Sequence, residues 1–180
     1  AGTDAAPVPA AVADPAAAPK PVDVPGADLV AARADVTAGR YAPALAKVAA
    51  APHPLSGAWL LVDADALRGF GQKREAAAAL AAAAPLLEGA SQVEAAYSAA
   101  YLRFHDLHDA AGALAVLTAS DVDIPGSLFE ERGLALHVKI LVAAGQKAEA
   151  RLLAQRYLEH FPHGDLQSLM VSLTRQDASK

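Results

Sequence analysis

The sequence predicts an all-α fold: four antiparallel helical hairpins in a right-handed, solenoid-like stack, closed by a short C-terminal helix. Three observations predict it. First, two near-identical hexapeptides, GQKREA at Gly71–Ala76 and GQKAEA at Gly145–Ala150, lie 74 residues apart, twice 37. A looser copy, GRYAPA at Gly39–Ala44, stands 32 residues before the first. A turn-plus-helix-start recurring at a spacing in the thirties marks a helical-hairpin repeat. Second, the chain is 54% hydrophobic, mostly through alanine, with only 5% aromatic residues. Alanine is the best helix former, and its small side chain lets helices approach closely. Third, Val, Ile, Thr and Tyr never gather into alternating runs, so strands are not expected.

Residues 1–26 are set apart by Pro7, Pro9, Pro15, Pro19, Pro21 and Pro25 among Ala and Val. Proline at this density opposes helix and favours extended, solvated backbone. This segment is expected to be a disordered tail, read either as a spacer holding the domain off an anchor or as a terminus with no role. Helical patterning starts at Ala27. Asp28–Ala38 carries Leu29, Ala32 and Val36 on one stripe and stops at Gly39, a helix-terminating residue. Tyr41–Ala51 follows, with Leu45 and Val48 inward and Pro43 in the first turn, where proline is tolerated.

The second hairpin is read as Ser56–Phe70 and Lys73–Leu87. Trp59, Val62, Ala66 and Phe70 share one face of its first helix, and Leu60, Ala64 and Leu67 another. Ser91, with Glu94 three residues on, reads as a capping box opening Gln92–His105. Tyr97, Ala100, Tyr101 and Phe104 form an aromatic stripe there, read as core packing rather than a ligand platform. Asp109 should cap Ala110–Ser120. In the fourth hairpin, Ser127–Ala144 turns Leu128, Leu134, Val138 and Leu141 inward, and Lys147–Phe161 turns Ala150, Leu153, Ala154, Tyr157 and Phe161 inward. Asp165 is placed as the cap of a final helix, Leu166–Leu173, that covers the open end of the stack, and 174–180 should fray.

Composition narrows the role. A net charge of −5 with no basic cluster argues against nucleic acid, whose phosphates dominate such affinities. No apolar run reaches the roughly 18 residues of a membrane span. The absence of cysteine removes disulfides, thiolate metal sites and a cysteine nucleophile. His105 and His108 with Asp106 and Asp109 could offer ligands to a divalent metal. Histidine and aspartate are equally at home at helix ends, and that plainer reading is preferred. His160 and His163 stand at another helix end, and His137 reads as a buried polar residue. Asp63 and Asp65 point to different faces, and Glu130 and Glu131 read as a solvated helix start. No phosphate loop, nucleophile elbow or zinc-binding HExxH helix is present. No catalytic residue, metal or cofactor is therefore assigned.

Laid on a ruler of about 34 residues, the chain resembles the tetratricopeptide-like repeats over residues 27–173. Gly145, Ala150, Ala154, Tyr157 and Pro162 fall on that family's turn, close-packing, core and closing positions. Leu60, Ala64, Leu67, Gly71, Ala76, Leu80 and Ala83 do so in the second hairpin, and Tyr97, Tyr101, Phe104, Ala113, Leu117 and Pro125 in the third. Gly39, Tyr41, Ala44 and Ala51 are the matches in the first. Asp63 and His137 depart from it at an early core position, and Ser120 stands in place of alanine. The string AEARLLAQRYLEHFPHGDL (148–166) resembles repeat ends in bacterial outer-membrane assembly lipoproteins and periplasmic Tol-associated coordinators.

The resemblance implies a non-catalytic scaffold for a peptide or protein partner, periplasmic or outer-membrane associated, with a cytoplasmic location as the alternative. Any lipid anchor is expected upstream of Ala1, a start that suits a processed or trimmed chain. By the same resemblance the first helix of each hairpin lines a concave groove. Carried over residue by residue, the groove positions are Leu29 and Arg33, then Leu61, Asp65 and Arg68, then Ser98, Leu102 and His105, then Arg132, Ala135 and Lys139. Four of these are cationic, which suits an extended peptide with acidic groups or a free carboxylate. The plain alternative is ordinary surface charge. Two other roles stay open: an oligomerising subunit of an envelope assembly, and a regulatory domain of a larger signalling protein.

Overall fold

A computed structural model describes residues 26–175 except 121, 124 and 128. The chain is all-helical among the described residues: α1 (Ala27–Thr37), α2 (Tyr41–Ala50), α3 (Gly57–Gly69), α4 (Lys73–Ala83), α5 (Gly89–Tyr101), α6 (Ala110–Thr118), α7 (Glu130–Ala143), α8 (Lys147–His160) and α9 (Gln167–Arg175). A 3₁₀ turn (Ala84–Leu86) extends α4, and a π-helical turn (Leu102–Asp106) extends α5. None of these helices is long and apolar enough to cross a membrane. The proline-rich segment 1–25, Leu128 and the end of the chain from 176 lie outside the described residues.

The recurring glycines make one local structure three times. Gly39, Gly71 and Gly145 take φ of 72°, 75° and 78°, backbone that side chains with a Cβ resist. Each N–H returns to the carbonyl three residues back, and the next residue's N–H to the carbonyl five back: Arg40 to Asp35, Gln72 to Leu67 and Gln146 to Leu141. This is the Schellman arrangement, and it satisfies carbonyls that the helix end leaves open. The following helix starts at once, at Tyr41, Lys73 and Lys147.

Packing runs along the chain. Each helix rests chiefly on the helices adjacent in sequence, with α1 also reaching α3. The core accordingly forms three successive clusters. Leu29, Ala32, Ala44, Val48, Val62 and Ala66 make the first. The alanines of α4 and α5, with Leu80, Leu117 and Ile140, build the second, and Leu134, Val138, Ala154, Tyr157 and Met170 build the third. The two faces read on α3 serve two clusters, Trp59, Val62 and Ala66 facing the first and Ala64 and Leu67 the second, but it is Leu61 and not Leu60 that joins the second. Phe70 departs from that reading. It is exposed, with its ring edge-on to Tyr41 at 5.9 Å. Helix α9 lays Met170 and Leu173 on the third cluster, joined by Leu166 just before it. It continues through Arg175, so Thr174 and Arg175 are helical rather than frayed.

Several local expectations fail for identifiable reasons. Helix α5 opens at Gly89 behind an extended Glu88, so Ser91 lies inside the first turn and makes no cap. Helix α7 begins at Glu130, three residues later than expected, because Gly126 and Glu130 are tied to each other first. Asp165 does not begin the last helix, which starts at Gln167. Its backbone N–H instead donates to Glu131 Oε1 at 3.2 Å. Asp109 does cap α6, accepting the Gly112 N–H at 2.8 Å.

The largest revision concerns Glu130 and Glu131. Glu130 is only 7% exposed. Its carboxylate accepts the Gly126 N–H at 2.6 Å and meets His160 Nδ1 at 2.6 Å. Glu131 accepts the Tyr157 hydroxyl at 2.7 Å. These carboxylates clamp α8 to the start of α7, instead of standing in solvent. Asp123 joins them by pairing with His137 at 3.5 Å and Arg156 at 3.7 Å. An analogous clamp at the other end was not foreseen: Asp35, buried on α1, accepts from Lys47 at 2.5 Å and Arg40 at 2.8 Å.

Candidate binding groove

Two adjoining cavities open where α3, α5, α7 and α8 meet. The larger, about 390 Å³, is walled by Tyr97, Tyr101 and His105 on one side and by Arg132, Ala135, Leu136 and Lys139 on the other. Glu131, Tyr157, Asp165 and Leu166 complete its lining. The smaller, about 330 Å³, is lined by Arg68, Lys73, Tyr97, Ser98, Tyr101, Leu102 and Asp106. Tyr97 and Tyr101 border both, so the pair forms one groove divided by an aromatic ridge.

Helix geometry sets the two walls. Arg132, Ala135, Leu136 and Lys139 stand at i, i+3, i+4 and i+7 of α7, which is one face of a helix. Tyr97, Tyr101 and His105 are spaced by four, and here the π turn matters. Its wider loop, closed by the Leu107 N–H on the Leu102 carbonyl, brings residues four apart nearly into line. The rings follow one another accordingly. Phe129 to Tyr97 is 5.4 Å, Tyr97 to Tyr101 is 6.1 Å, and Tyr101 to His105 is 4.3 Å. The stripe read as core is therefore split. Phe104 packs on the central cluster, Tyr97 is half-buried, and Tyr101 is 43% exposed along the groove.

Charge is unevenly used. Lys73 pairs with Asp106, and Arg68 lies 3.7 Å from Asp65. Glu131 is engaged by Tyr157. Arg132 and Lys139 form no salt bridge among the described residues, and they share the lining with the acids Glu131 and Asp165. Burial pushes the Tyr97 hydroxyl pKa up, with Arg132 opposing and Tyr101 adding to the rise. Burial, with Glu131 beside it, also pushes Tyr157 up to about 12, so both phenols stay neutral donors. The groove floor depends on Gly164. A Cβ there would stand 2.3 Å from the Tyr157 oxygen and 2.5 Å from Glu131 Oε1.

Seven of the eleven groove residues picked out by the family pattern line these cavities: Arg68, Ser98, Leu102, His105, Arg132, Ala135 and Lys139. Four do not. Arg33 is exposed on α1, away from either cavity. Leu61 packs on the central core, and Asp65 sits outside the lining, its pKa raised by burial against the pull of Arg68. Leu29 also turns into the first core cluster. Tyr97 and Tyr101 are the groove residues that the sequence reading assigned to core packing rather than to a ligand platform, and their spacing of four was the available signal. No group of three or more His, Asp or Glu side chains is placed to hold a metal among the described residues. His108 instead forms a turn at φ 53°, and Asp109 is spent on its cap and on Arg103 at 3.0 Å.

Compared with protein-family models, curated proteins and solved structures, the chain matches none.

Proposed function

We propose that this chain is a non-catalytic, tetratricopeptide-like helical-repeat scaffold that binds an extended segment of a partner protein in the Tyr97–Tyr101 groove. The observation that supports the reading is the groove itself, an aromatic ridge facing Arg132 and Lys139, two cations that form no salt bridge among the described residues. Aromatic rings give flat contact area at low entropic cost, and free cations attract acidic groups on the approaching chain. Three Schellman turns of one geometry, and packing that runs between sequence neighbours, support a repeat array of stacked hairpins. A bacterial envelope setting rests on the likeness of 148–166 to envelope repeat proteins. An oligomerising role would call for a continuous apolar face. The large exposed apolar side chains Val30, Phe70, Leu86, Tyr101, Val142, Leu152 and Leu169 each fall on a different element or turn.

The test is a titration of the full chain against a fluorescent extended peptide alternating Glu with Ala and Pro, followed by anisotropy. Binding should occur at low salt and weaken as salt screens the charges. The double reversal Arg132→Glu, Lys139→Glu should lose it. Affinity unchanged by that reversal would remove the groove as the binding site.

A further inference from the structure

The larger cavity is a valley with two unlike walls, and each wall has a spacing. Arg132 and Lys139 line the α7 wall. Seven residues apart on a helix, their backbone positions lie within about 20° of each other around the axis and about 10.5 Å apart along it. Tyr97, Tyr101 and His105 line the α5 wall, ring after ring at 6.1 and 4.3 Å. The walls run in step from one end: Phe129, just before α7, meets Tyr97 at 5.4 Å, and Arg132 is close enough to act on the Tyr97 hydroxyl. The acids of the lining gather at one place, where Glu131 accepts the Tyr157 hydroxyl at 2.7 Å and the Asp165 N–H at 3.2 Å.

An extended ligand has to answer both walls at once. A β-strand presents two opposite faces, and its same-face residues recur at about 6.6 and 13.2 Å, each roughly 3–4 Å away from the cation spacing. A polyproline II chain turns once in three residues and rises 3.1 Å for each, so residues three apart share a face and stand about 9.3 Å apart. That is within about 1 Å of the cation spacing, a difference that the flexible stem of lysine absorbs. Its three faces lie about 120° apart, so two of them can meet the two walls while the third meets water.

We propose that the partner segment this groove takes is a polyproline II chain with acidic residues three apart, its acidic face on Arg132 and Lys139 and an adjacent, proline-bearing face on the Tyr97–Tyr101 rings. The proposal rests on the groove being a peptide-binding site and adds the register that the site reads. Proline-rich chains dock aromatic-lined grooves in this conformation, which is formed before binding, so little entropy is lost.

The experiment uses the full chain and four fluorescent peptides of equal length, each with blocked ends and two glutamates. Three place the glutamates two, three or four apart in a Pro/Ala host that favours polyproline II. The fourth places them seven apart in an alanine-rich helix. Anisotropy at low salt should show the three-apart peptide binding about fivefold more tightly than the two- and four-apart peptides, the upper end for one exposed ion pair. Lys139→Gln should erase that preference, because a single cation cannot measure a spacing. Tightest binding by any of the other three peptides, or a preference that survives Lys139→Gln, would overturn the proposal. Equal affinity across the spacings, lost in Arg132→Glu, Lys139→Glu, would also overturn it and would keep the groove reading. Failure of all four peptides and of the Glu/Ala/Pro peptide to bind would remove both.

Discussion

The third and fourth helix pairs occupy equivalent places in the chain and have been put to different use. In the fourth, Gly145 makes the turn and Tyr157 is fully buried against Leu134 and Met170. In the third, the turn is made by His108, 37 residues after Gly71 and 37 before Gly145, at φ 53° and without a glycine. Its closing hydrogen bond runs from Asp109 to Arg103, six residues rather than five, because the π turn adds one. Its tyrosine, Tyr101, stands in the groove. Regular geometry goes with a packed interior, and irregular geometry sits where the surface is cut open. π turns are rare and occur frequently at functional sites, so one at the end of an otherwise α-helical segment points to a site.

The sharpest break of this contrast is Tyr157→Ala. A fully buried ring is lost together with the hydroxyl that bonds Glu131 and receives the Leu166 N–H at 3.2 Å. The expected cost is about 3–5 kcal/mol, read as a large fall in the chemical-denaturation midpoint. A cost under about 1 kcal/mol would mean the fourth pair is not the packed partner described.

The turns should answer next. Gly145→Ala forces a Cβ into left-handed backbone and should cost about 1–2 kcal/mol. His108→Gly relieves the same strain and should be neutral or stabilising by about 0.5 kcal/mol, since glycine's extra freedom in the unfolded chain takes back part of the gain. In a chain of this size a melting temperature moves about 2–4 °C per kcal/mol, so the two variants should shift in opposite directions or differ clearly. Equal destabilisation would show that His108 holds its turn through its side chain.

Acid should act through the clamps. Asp35 is held below its ordinary pKa by Lys47 and Arg40, and Asp123 by His137 and Arg156. At Glu130 burial works the other way but is outweighed by the Gly126 N–H and His160. The Gly112 N–H, with Arg103, lowers Asp109. In each case the unfolded chain binds the proton more readily. The stabilisation is therefore present above the unfolded values of 3.8 and 4.5 and is lost as pH falls through the lower folded ones. Asp63 and Asp65, raised by burial, oppose this in the same region. The melting temperature should fall on acidification below about pH 4.5, and less steeply in Glu130→Gln. A flat profile would show the clamps to be weak.

What the sequence made legible follows the range of the forces involved. The glycine turns were readable because left-handed backbone leaves a residue type behind at a fixed spacing. Helix positions followed from alanine density and from stops at Gly39, Gly71 and Gly145. His108 was hidden because nothing local marks a non-glycine in that conformation, although halving the 74-residue interval points straight to it. The roles of Glu130 and Glu131 were illegible because their partners, His160 and Asp165, lie 30 and 34 residues away. Read locally, two acids at a helix start look solvated. Groove membership was legible for α5 and α7 and failed for Leu61 and Arg33. Helix α3 turns Leu61 into the core and only Arg68 to a cavity, and Arg33 on α1 lines neither cavity.

The smallest expected effect on stability is also the most selective for function. Tyr101 is 43% exposed, and its ring stands beside those of Tyr97 and His105. Tyr101→Ala should therefore change stability by no more than about 0.5 kcal/mol, as surface substitutions do. An aromatic contact contributes about 0.5–1.5 kcal/mol beyond buried area, so affinity for an extended acidic peptide should drop roughly two- to twelvefold. The comparison with Tyr157→Ala then separates the two tyrosines on two axes, one carrying stability and the other binding. Loss of peptide binding in both variants at equal folded fraction would place Tyr157 in the site as well. Retention in Tyr101→Ala, measured by the same anisotropy titration, would take the aromatic ridge out of recognition and leave only the cations of α7.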